Sequence, residues 1–590
     1  MEFAELARLF SRIEETRSRL EFTDQLAKLF AEASADEIAK IVYLCCGVLV
    51  PQHKGIEIGV GVKLAQQSIS LVSGKTVAQV ESLYRREGDL GAAAEKLLAQ
   101  KSQRTLASSA LSVAKVYDNF MRIATASGSG SQELKIKLLA ELLSSASPLE
   151  ARYIVRFVQG NLRVGVGEST VLDALSVAKT GSKELRPVLE RAFNLTSDIG
   201  FVAELFYRKG VEGVRALKPV PFSPIRPALA ERLLDAKQII EKIGRCSVEG
   251  KYDGLRLQVH KSGDRVELFS RRQEVMTHMF PDVVEAVRKQ VRARQAILEG
   301  EAISYDERTG TFKPFQETIQ RKRKYGVEEK ARELPLRLFA FELLFVDGED
   351  LTGEPYEVRR ARLEEIIGSG KVILPAKRVI ASTPGELQEF FDEAVASGLE
   401  GIVAKDLKAP YTAGARKFAW IKLKKSYEES ALSDTLDLVV VGYFLGRGKR
   451  AKFGFGGLLA AVFEPRSRSF KTICKIGTGF SEEQMKEFKK ILSEIEVKEK
   501  PASVDSLVTP SKWVVPKYVV VVKADEITRS PTHTCGMRVE QGKHYGEGLA
   551  LRFPRFIGMR SDKRPEDATT EEEVLELFEL QRQRGASGGR

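Results

Sequence analysis

The chain lacks any apolar run near the ~18 residues that a membrane-spanning helix needs. Its longest candidates, such as 438–445, are short. The start, Met1-Glu2-Phe3-Ala4-Glu5, is acidic where a secretory signal would be basic. Cys45, Cys46, Cys246, Cys474 and Cys535 are odd in number and scattered, giving neither a disulfide framework nor zinc spacing. These absences lead to the expectation of an intracellular, cytoplasmic protein with no membrane attachment. His53, His260, His278, His533 and His544 are dispersed and none is assigned a role. Asparagine is nearly missing: Asn119, Asn161 and Asn194 are the only ones. With 29% charged residues, that is the signature of a heat-adapted chain avoiding thermolabile amides, so a thermophilic source is expected.

What is present bounds the rest. At 590 residues the chain is too long for one core, and 43% apolar residues support globular packing. A net charge of +12 suits a polyanionic partner. Up to about residue 217 the periodicity is helical, as at Phe3, Leu6, Phe10 and Ile13 and at Leu134, Leu138 and Leu142. A Ser-Gly run at 127–131 interrupts it as a flexible connection. The loop 160–167, glycine-rich and carrying Arg163, offers backbone amides to a phosphate or else simply joins two helices. Pro219, Pro221, Pro224 and Pro227 then exclude a helix and mark the first boundary. From 218 to 426 strand-like and helical runs alternate, and the polar stretch 426–435 reads as a second linker. Beyond it, short β-runs at 438–445, 458–463, 471–476 and 518–523 surround one helix opened by a capping box of Ser481 and Gln484. A last helix is expected at 570–584.

Residues 249–256, Glu-Gly-Lys-Tyr-Asp-Gly-Leu-Arg, organise the middle region. The flanks Cys246, Val248, Leu257 and Val259 alternate with polar residues, so the octet should join two strands, with Asp253-Gly254 making the turn. That places Lys251 at a sheet end. A lysine is a nucleophile only when its surroundings favour the neutral amine, and Arg256 is one neighbour that would. Glu301 and Glu400 each sit beside an apolar run, and Lys422 and Lys424 alternate onto one strand face.

Taken in order, these segments resemble the motifs of the covalent nucleotidyltransferases, which comprise ATP- and NAD-dependent ligases, RNA ligases and capping enzymes. Lys251–Arg256 resembles motif I and 269–272 motif Ia. Segments 299–303, 339–342, 400–405 and 420–424 resemble motifs III, IIIa, IV and V, and 551–563 motif VI. The helical region, with its tail 193–200, is similar to the DNA-binding domain of archaeal and eukaryotic replicative DNA ligases. The archaeal-type ATP-dependent DNA ligases match best, over nearly the whole chain.

That resemblance implies a multidomain fold. An all-α DNA-binding domain would span 1–217, an α+β nucleotidyltransferase (adenylation) domain 218–426, and a β-barrel OB-fold domain with a C-terminal helix 427–590. It implies that Lys251 attacks the α-phosphorus of ATP to form lysyl-AMP. Arg256, Lys422, Lys424 and a bound metal would favour the free amine by like-charge repulsion. Glu301 and Glu400 would hold Mg²⁺, with Mn²⁺ the alternative ion. Phe341 would stack on adenine, and Glu249 would meet its amine edge. Arg256 and Arg271 would reach ribose and phosphate, and Arg416, Lys422 and Lys424 the phosphates. Arg560 and Lys563 would touch the pyrophosphate, which requires the last domain to swing about a hinge near 426–435. AMP would pass to the 5′-phosphate at a nick in double-stranded DNA, where the 3′-hydroxyl displaces it. The enzyme would act in replication, repair and recombination as a nucleoid-associated monomer.

Two positions depart from the family pattern. Arg272 stands where many relatives carry asparagine. Segment 100–104 lacks the two aromatics of a sliding-clamp motif, so a clamp contact there is not expected. Three alternatives have less behind them. An RNA ligase or capping enzyme would not need the long helical region, and an NAD-dependent ligase would carry a four-cysteine zinc cluster. A non-catalytic nick-binding clamp would not keep every charged motif residue.

Overall fold

The computed structural model describes every residue except 16–17, 103–109, 161, 163, 165, 307–310, 314, 324, 425–434, 447–452, 525, 541–542 and 588–590. Arg163, most of the second linker and residues 103–104 of the segment read for a clamp motif therefore lie outside the described residues, as do the side chains of 101, 102 and Arg416.

Among the described residues, helices build the N-terminal region, from Phe3–Glu15 to Ile199–Arg215. The three-and-four spacing read from the first helix is its buried face: Phe3, Leu6, Leu9, Phe10 and Ile13 are all at most 4% exposed. Capping boxes open two further helices, Thr76 with Gln79 and Ser147 with Glu150, the second with Pro148 in its first turn. One apolar cluster runs from Phe3 to Val214, so these helices share a core. Of the rare asparagines, Asn119 is buried and accepts from Arg122 at 3.0 Å, and Asn194 donates to the Ala413 carbonyl at 2.9 Å. Both amides hold structure.

The middle region carries two sheets. In chain order its strands are β1 (Leu229–Arg232), β2 (Cys246–Lys251), β3 (Leu255–Ser262), β4 (Arg265–Ser270), β5 (Gln295–Asp306), β6 (Thr311–Phe312), β7 (Leu336–Val346), β8 (Glu349–Asp350), β9 (Ile373–Pro375), β10 (Arg378–Ala381), β11 (Gly401–Asp406) and β12 (Arg416–Lys424). One sheet has the order β1-β12-β11-β2-β10 and the other β4-β3-β5-β7-β8, with β6 on β5 and β9 on β7. Helices Ala236–Ile243 and Pro384–Ala396 bury their apolar faces on the first sheet. Pro281–Gln290 and Tyr356–Ile366 do so on the second. Between the sheets lie Ile297, Leu344, Phe345, Tyr411 and Trp420. The octet joins β2 of one sheet to β3 of the other, so the chain crosses between sheets at Asp253-Gly254. A Cβ on Gly254 would stand 2.4 Å from the Ala302 carbonyl oxygen, which explains the glycine.

The C-terminal region curls β13 (Leu436–Phe444), β14 (Gly457–Glu464) and β15 (Ser469–Ile476) into an eight-stranded sheet. Strand Val519–Lys523 bridges β13 and Arg555–Met559. β13 is buried on both faces, Leu438 and Val440 in one cluster and Val439 and Val441 in another. The box of Ser481 and Gln484 caps helix Glu482–Ser493, and the last helix runs Glu571–Ser587. Among the described residues no helix is long and apolar enough to cross a membrane.

Candidate active site

Strand register assembles the site. Lys251 of β2, Gly401 of β11 and Lys424 of β12 are direct partners across three strands, and Glu249, Val403 and Lys422 form the row behind them. Side chains two residues apart share a face, so Lys251, Lys424, Glu249 and Lys422 all look toward the second sheet. Gly401, at φ 148°, leaves no room for a Cβ, which would meet the Leu423 carbonyl oxygen at 2.1 Å. That close approach draws Glu400 in beside the lysines, its amide donating to the Lys251 carbonyl at 3.1 Å. The Glu400 carboxylate pairs with Lys251 through one oxygen and with Lys424 through the other. Burial pushes Glu400 up, but Lys251 and Lys424 pull it well below the ordinary carboxylate value.

This corrects one expectation. The charge nearest Lys251 is an anion, and each cation expected to repel it is itself neutralised by a carboxylate. Arg256 binds Glu299 at 2.8 Å and Lys422 binds Glu573 at 3.3 Å, while Lys424 shares Glu400. Carboxylates thus balance the charge of these lysines and of Arg256.

Glu301 differs from all of these. It lies on β5 opposite Arg256 and has neither hydrogen bond nor ion pair among the described residues. Burial pushes its carboxyl up to about 7 despite the fields of Lys251 and Arg256. Phe341 occupies a β-bulge: Glu299 pairs with Glu342 and Gly300 with Ala340, so Phe341 is the extra residue, re-aimed from the ladder. Its ring meets Trp420 edge-on at 5.9 Å, and Arg256 lies over it at 5.4 Å.

Glu249 is 2% exposed and lies behind the row. It accepts from the Tyr356 hydroxyl, from Lys405 at 2.8 Å and from Arg360 at 3.3 Å. Lys405 also donates to the Phe341 carbonyl at 2.8 Å, tying the sheets together. Arg271 is pushed below the ordinary guanidinium value by burial, with Asp567 and Asp562 acting in opposition. Arg416 begins β12, where its backbone pairs with Leu229.

The C-terminal region lies against the site. Arg272 donates to the Lys563 carbonyl, so the departure from asparagine has a use: it spans two regions. Lys563 pairs with Asp437, and burial lowers its ammonium to about 8. Arg560 forks onto Asp562 at 2.8 and 2.7 Å and acts electrostatically on Asp253 and Glu400. Sequence reading passed over Glu299, Tyr356, Arg360, Lys405, Tyr411 and Glu573. For Glu299 and Lys405 a signal existed, since each lies two residues along a strand from an inward position; the others lie on helices or loops that carry none.

Comparison with known proteins shows the family. Family models match for the DNA ligase N terminus over 2–176, the ATP dependent DNA ligase domain over 227–424 and the ATP dependent DNA ligase C terminal region over 451–563. A probable DNA ligase of Dictyoglomus turgidum is 48% identical over 583 residues, covering 99% of this chain and 98% of the relative. The DNA ligase of Staphylothermus marinus is 43% identical, covering 98% of this chain and 99% of its own. The solved structure "mycobacterial DNA ligase D complexed with ATP and MES" aligns at a TM-score of 0.32 and 23% identity, over 58% of this chain and 97% of that one. The chain belongs to the ATP-dependent DNA ligase family, enzymes that form phosphodiester bonds in DNA.

Proposed function

We propose that Lys251 is the nucleophile that takes AMP from ATP and that the groove between the two sheets is the nucleotide pocket. The observation carrying this is the row Lys251–Glu400–Lys424 facing Glu301, Phe341 and Arg256 across that groove. Phe341 stacks on adenine, with Glu249 at the amine edge held by Lys405 and Arg360. Arg256 and Arg271 contact ribose and phosphate. Arg416, Lys422 and Lys424 hold phosphate oxygens, and Arg560 and Lys563 the pyrophosphate. As the phosphates enter, Lys424 and Lys422 exchange their carboxylates for phosphate oxygens, and Lys251, freed from Glu400, gives up its ammonium proton to solvent. The neutral amine then forms a bond to the α-phosphorus as the α–β phosphoanhydride bond breaks, and pyrophosphate leaves with that bond's electron pair. Positioning and charge stabilisation supply most of the rate.

Mg²⁺ fits the donor set. Two carboxylates plus substrate phosphates suit its oxygen preference, and burial disfavours the charged form of Glu301, a cost that a bound cation would offset. Bound there, the ion would neutralise charge on the phosphates; Mn²⁺ is the alternative.

The divisions 1–217, 218–426 and 427–590 are proposed as three domains, the last an OB-fold barrel that swings about the segment near 426–435. Opened, it would admit nicked duplex DNA, gripped through its backbone phosphates, consistent with the +12 charge. AMP would then pass to the 5′-phosphate and be displaced by the 3′-hydroxyl. The protein is proposed to act as a monomer, without a clamp contact at 100–104. The test is incubation with α-labelled ATP and Mg²⁺: the chain takes up label and passes it to nicked DNA, and Lys251→Ala does neither. Label on the Lys251→Ala protein would place the nucleophile elsewhere.

A further inference from the structure

Residues Arg256, Gln258 and His260 alternate along β3 and so share one face. Each binds the backbone of the proline-rich linker between the helical and middle regions. Arg256 donates to the Ala228 carbonyl at 2.9 Å. Gln258 pairs with both peptide groups of Ile225, accepting from its amide at 2.7 Å and donating to its carbonyl at 2.9 Å. His260 Nδ1 accepts from the Phe222 amide at 2.8 Å. The linker residues between these turn the other way. The Ser223 hydroxyl donates to the Thr196 carbonyl at 3.1 Å, Ser197 donates to the Pro224 carbonyl at 2.6 Å, and the Arg226 amide donates to the Asn194 carbonyl at 2.7 Å. The linker is a thread stitched to both regions.

The stitches on β3 are joined to one another. With Nδ1 accepting, His260 must carry its proton on Nε2, which donates to Gln258 Oε1 at 2.9 Å. Burial lowers its imidazole to about 3, so the ring stays neutral and the tautomer is fixed by its partner. Gln258 Nε2 makes its second bond to Glu299 Oε1 at 3.2 Å, using all four of its hydrogen-bonding positions. Glu299 is 1% exposed and spends its other oxygen on Arg256 at 2.8 Å and the Tyr411 hydroxyl at 2.9 Å. The direction of donation runs unbroken from the Phe222 amide through His260 to Gln258. Phe222 sits at φ 72°, a strained conformation for a bulky residue, and its ring lies under Arg265 at 3.8 Å.

We propose that Gln258 is a positioning residue for the ligase reaction: by holding Glu299 and the linker peptide at Ile225 together, it fixes the guanidinium of Arg256 at the nucleotide pocket. The proposal rests on the reading of Arg256 as a nucleotide contact. Arg256 is held by one carboxylate and one linker carbonyl, and Gln258 fixes both: it bonds Glu299 directly and anchors the linker three residues before Ala228. Methionine at 258 keeps the volume and removes every bond, leaving Glu299 one donor short.

The experiment measures steady-state nick sealing by the full chain against ATP concentration, with nicked DNA in excess, for Gln258→Met, Arg256→Ala and the double variant. Gln258→Met is expected to raise KM for ATP about tenfold with kcat within about twofold, the loss of one charge-assisted bond. The double variant is expected to be no worse than Arg256→Ala, because Gln258 acts only through that arginine. His260→Leu, which keeps an apolar filling, is expected to raise KM about threefold and tests the same chain should Gln258→Met fold poorly. An unchanged KM in Gln258→Met or, if that variant is unfolded, in His260→Leu overturns the proposal, and so does a double variant in which the two losses multiply. If Arg256→Ala alone leaves KM unchanged, the nucleotide role of Arg256 has failed and the proposal goes with it. If Arg256→Ala raises KM and Gln258→Met does not, only the positioning role has failed.

Discussion

Lys251 and Glu249 lie two residues apart on one strand, and their ion pairs could hardly differ more in setting. In the front row Lys251, Glu400 and Lys424 are 24%, 28% and 25% exposed. In the back row Glu249 and Lys405 are 2% exposed, and beside them Glu342 and Arg359 are wholly buried. Water reaches the front pairs, so their attraction is screened and partners can be exchanged. The back pairs have lost their hydration and hold one another because no alternative remains. In the proposed reaction the front is where a polyphosphate would replace carboxylates, and the back would keep the two sheets at a constant separation meanwhile. The same residue types thus serve as a reversible contact in one row and a fixed brace in the next.

The largest effect expected from this contrast is on stability, in the brace. Arg359 forks onto Glu342 at 2.8 and 2.9 Å and donates to the Ala409 carbonyl at 2.9 Å. Arg359→Ala leaves a buried carboxylate without its cation and should cost about 3–5 kcal/mol. Lys424→Met, in the front row, should cost about 1 kcal/mol or less. Denaturant unfolding of both variants checks the ranking, and equal losses would remove the distinction between the rows.

Much of this contrast could not be seen in the chain alone. The strand, turn and strand around 249–256, the alternation of Lys422 with Lys424 and the cap at Ser481 depend on neighbours a few residues apart, and such spacing is legible; that the two strands belong to different sheets is not. The helical start and the curled C-terminal strands are legible for the same reason. The bulge that turns Phe341 out of its ladder is not, because it arises from how β7 pairs with β5. Nor are Tyr356 and Arg360, whose meeting with Glu249 depends on where a helix lands on a sheet. The crowding of cations in the motifs suggests like-charge repulsion at Lys251, but Glu400, expected there as a metal ligand, pairs with the lysine directly. The carboxylates that neutralise these cations stand on another strand in Glu299, just before β11 in Glu400 and on the last helix in Glu573.

A second test concerns the one front carboxyl with no partner. Unfolded Glu301 titrates at 4.5 and folded Glu301 at about 7, so between these values the native state binds the extra proton. Its contribution is therefore fully present below pH 4.5 and is lost as pH rises through 7. Above that, an ionised Glu301 costs about 1–3 kcal/mol. Glu301→Gln should accordingly be more stable than the parent at pH 8 by about that amount, and no different at pH 4. Mg²⁺ should narrow the gap at pH 8 by stabilising the parent alone. Thermal unfolding at the two pH values, with and without the metal, checks both statements. A pH-independent difference would mean that the carboxyl is not desolvated.

The smallest expected effect lies at the border between the rows. Lys422 is 21% exposed and its partner Glu573 only 8%, so this pair is intermediate between exchangeable and fixed. Glu573 also caps its own helix, accepting from the Thr570 amide at 2.8 Å and hydroxyl at 3.1 Å. Glutamine keeps an oxygen for that cap but removes the charge facing Lys422. Glu573→Gln should therefore change stability by about 1 kcal/mol or less. By sparing the phosphates a competitor for Lys422, it should lower KM for ATP about two- to fivefold. If Glu573 behaves as part of the brace instead, stability will fall by several kcal/mol and KM will not improve. Unfolding and steady-state nick-sealing measurements on this one variant decide on which side of the border the C-terminal helix stands.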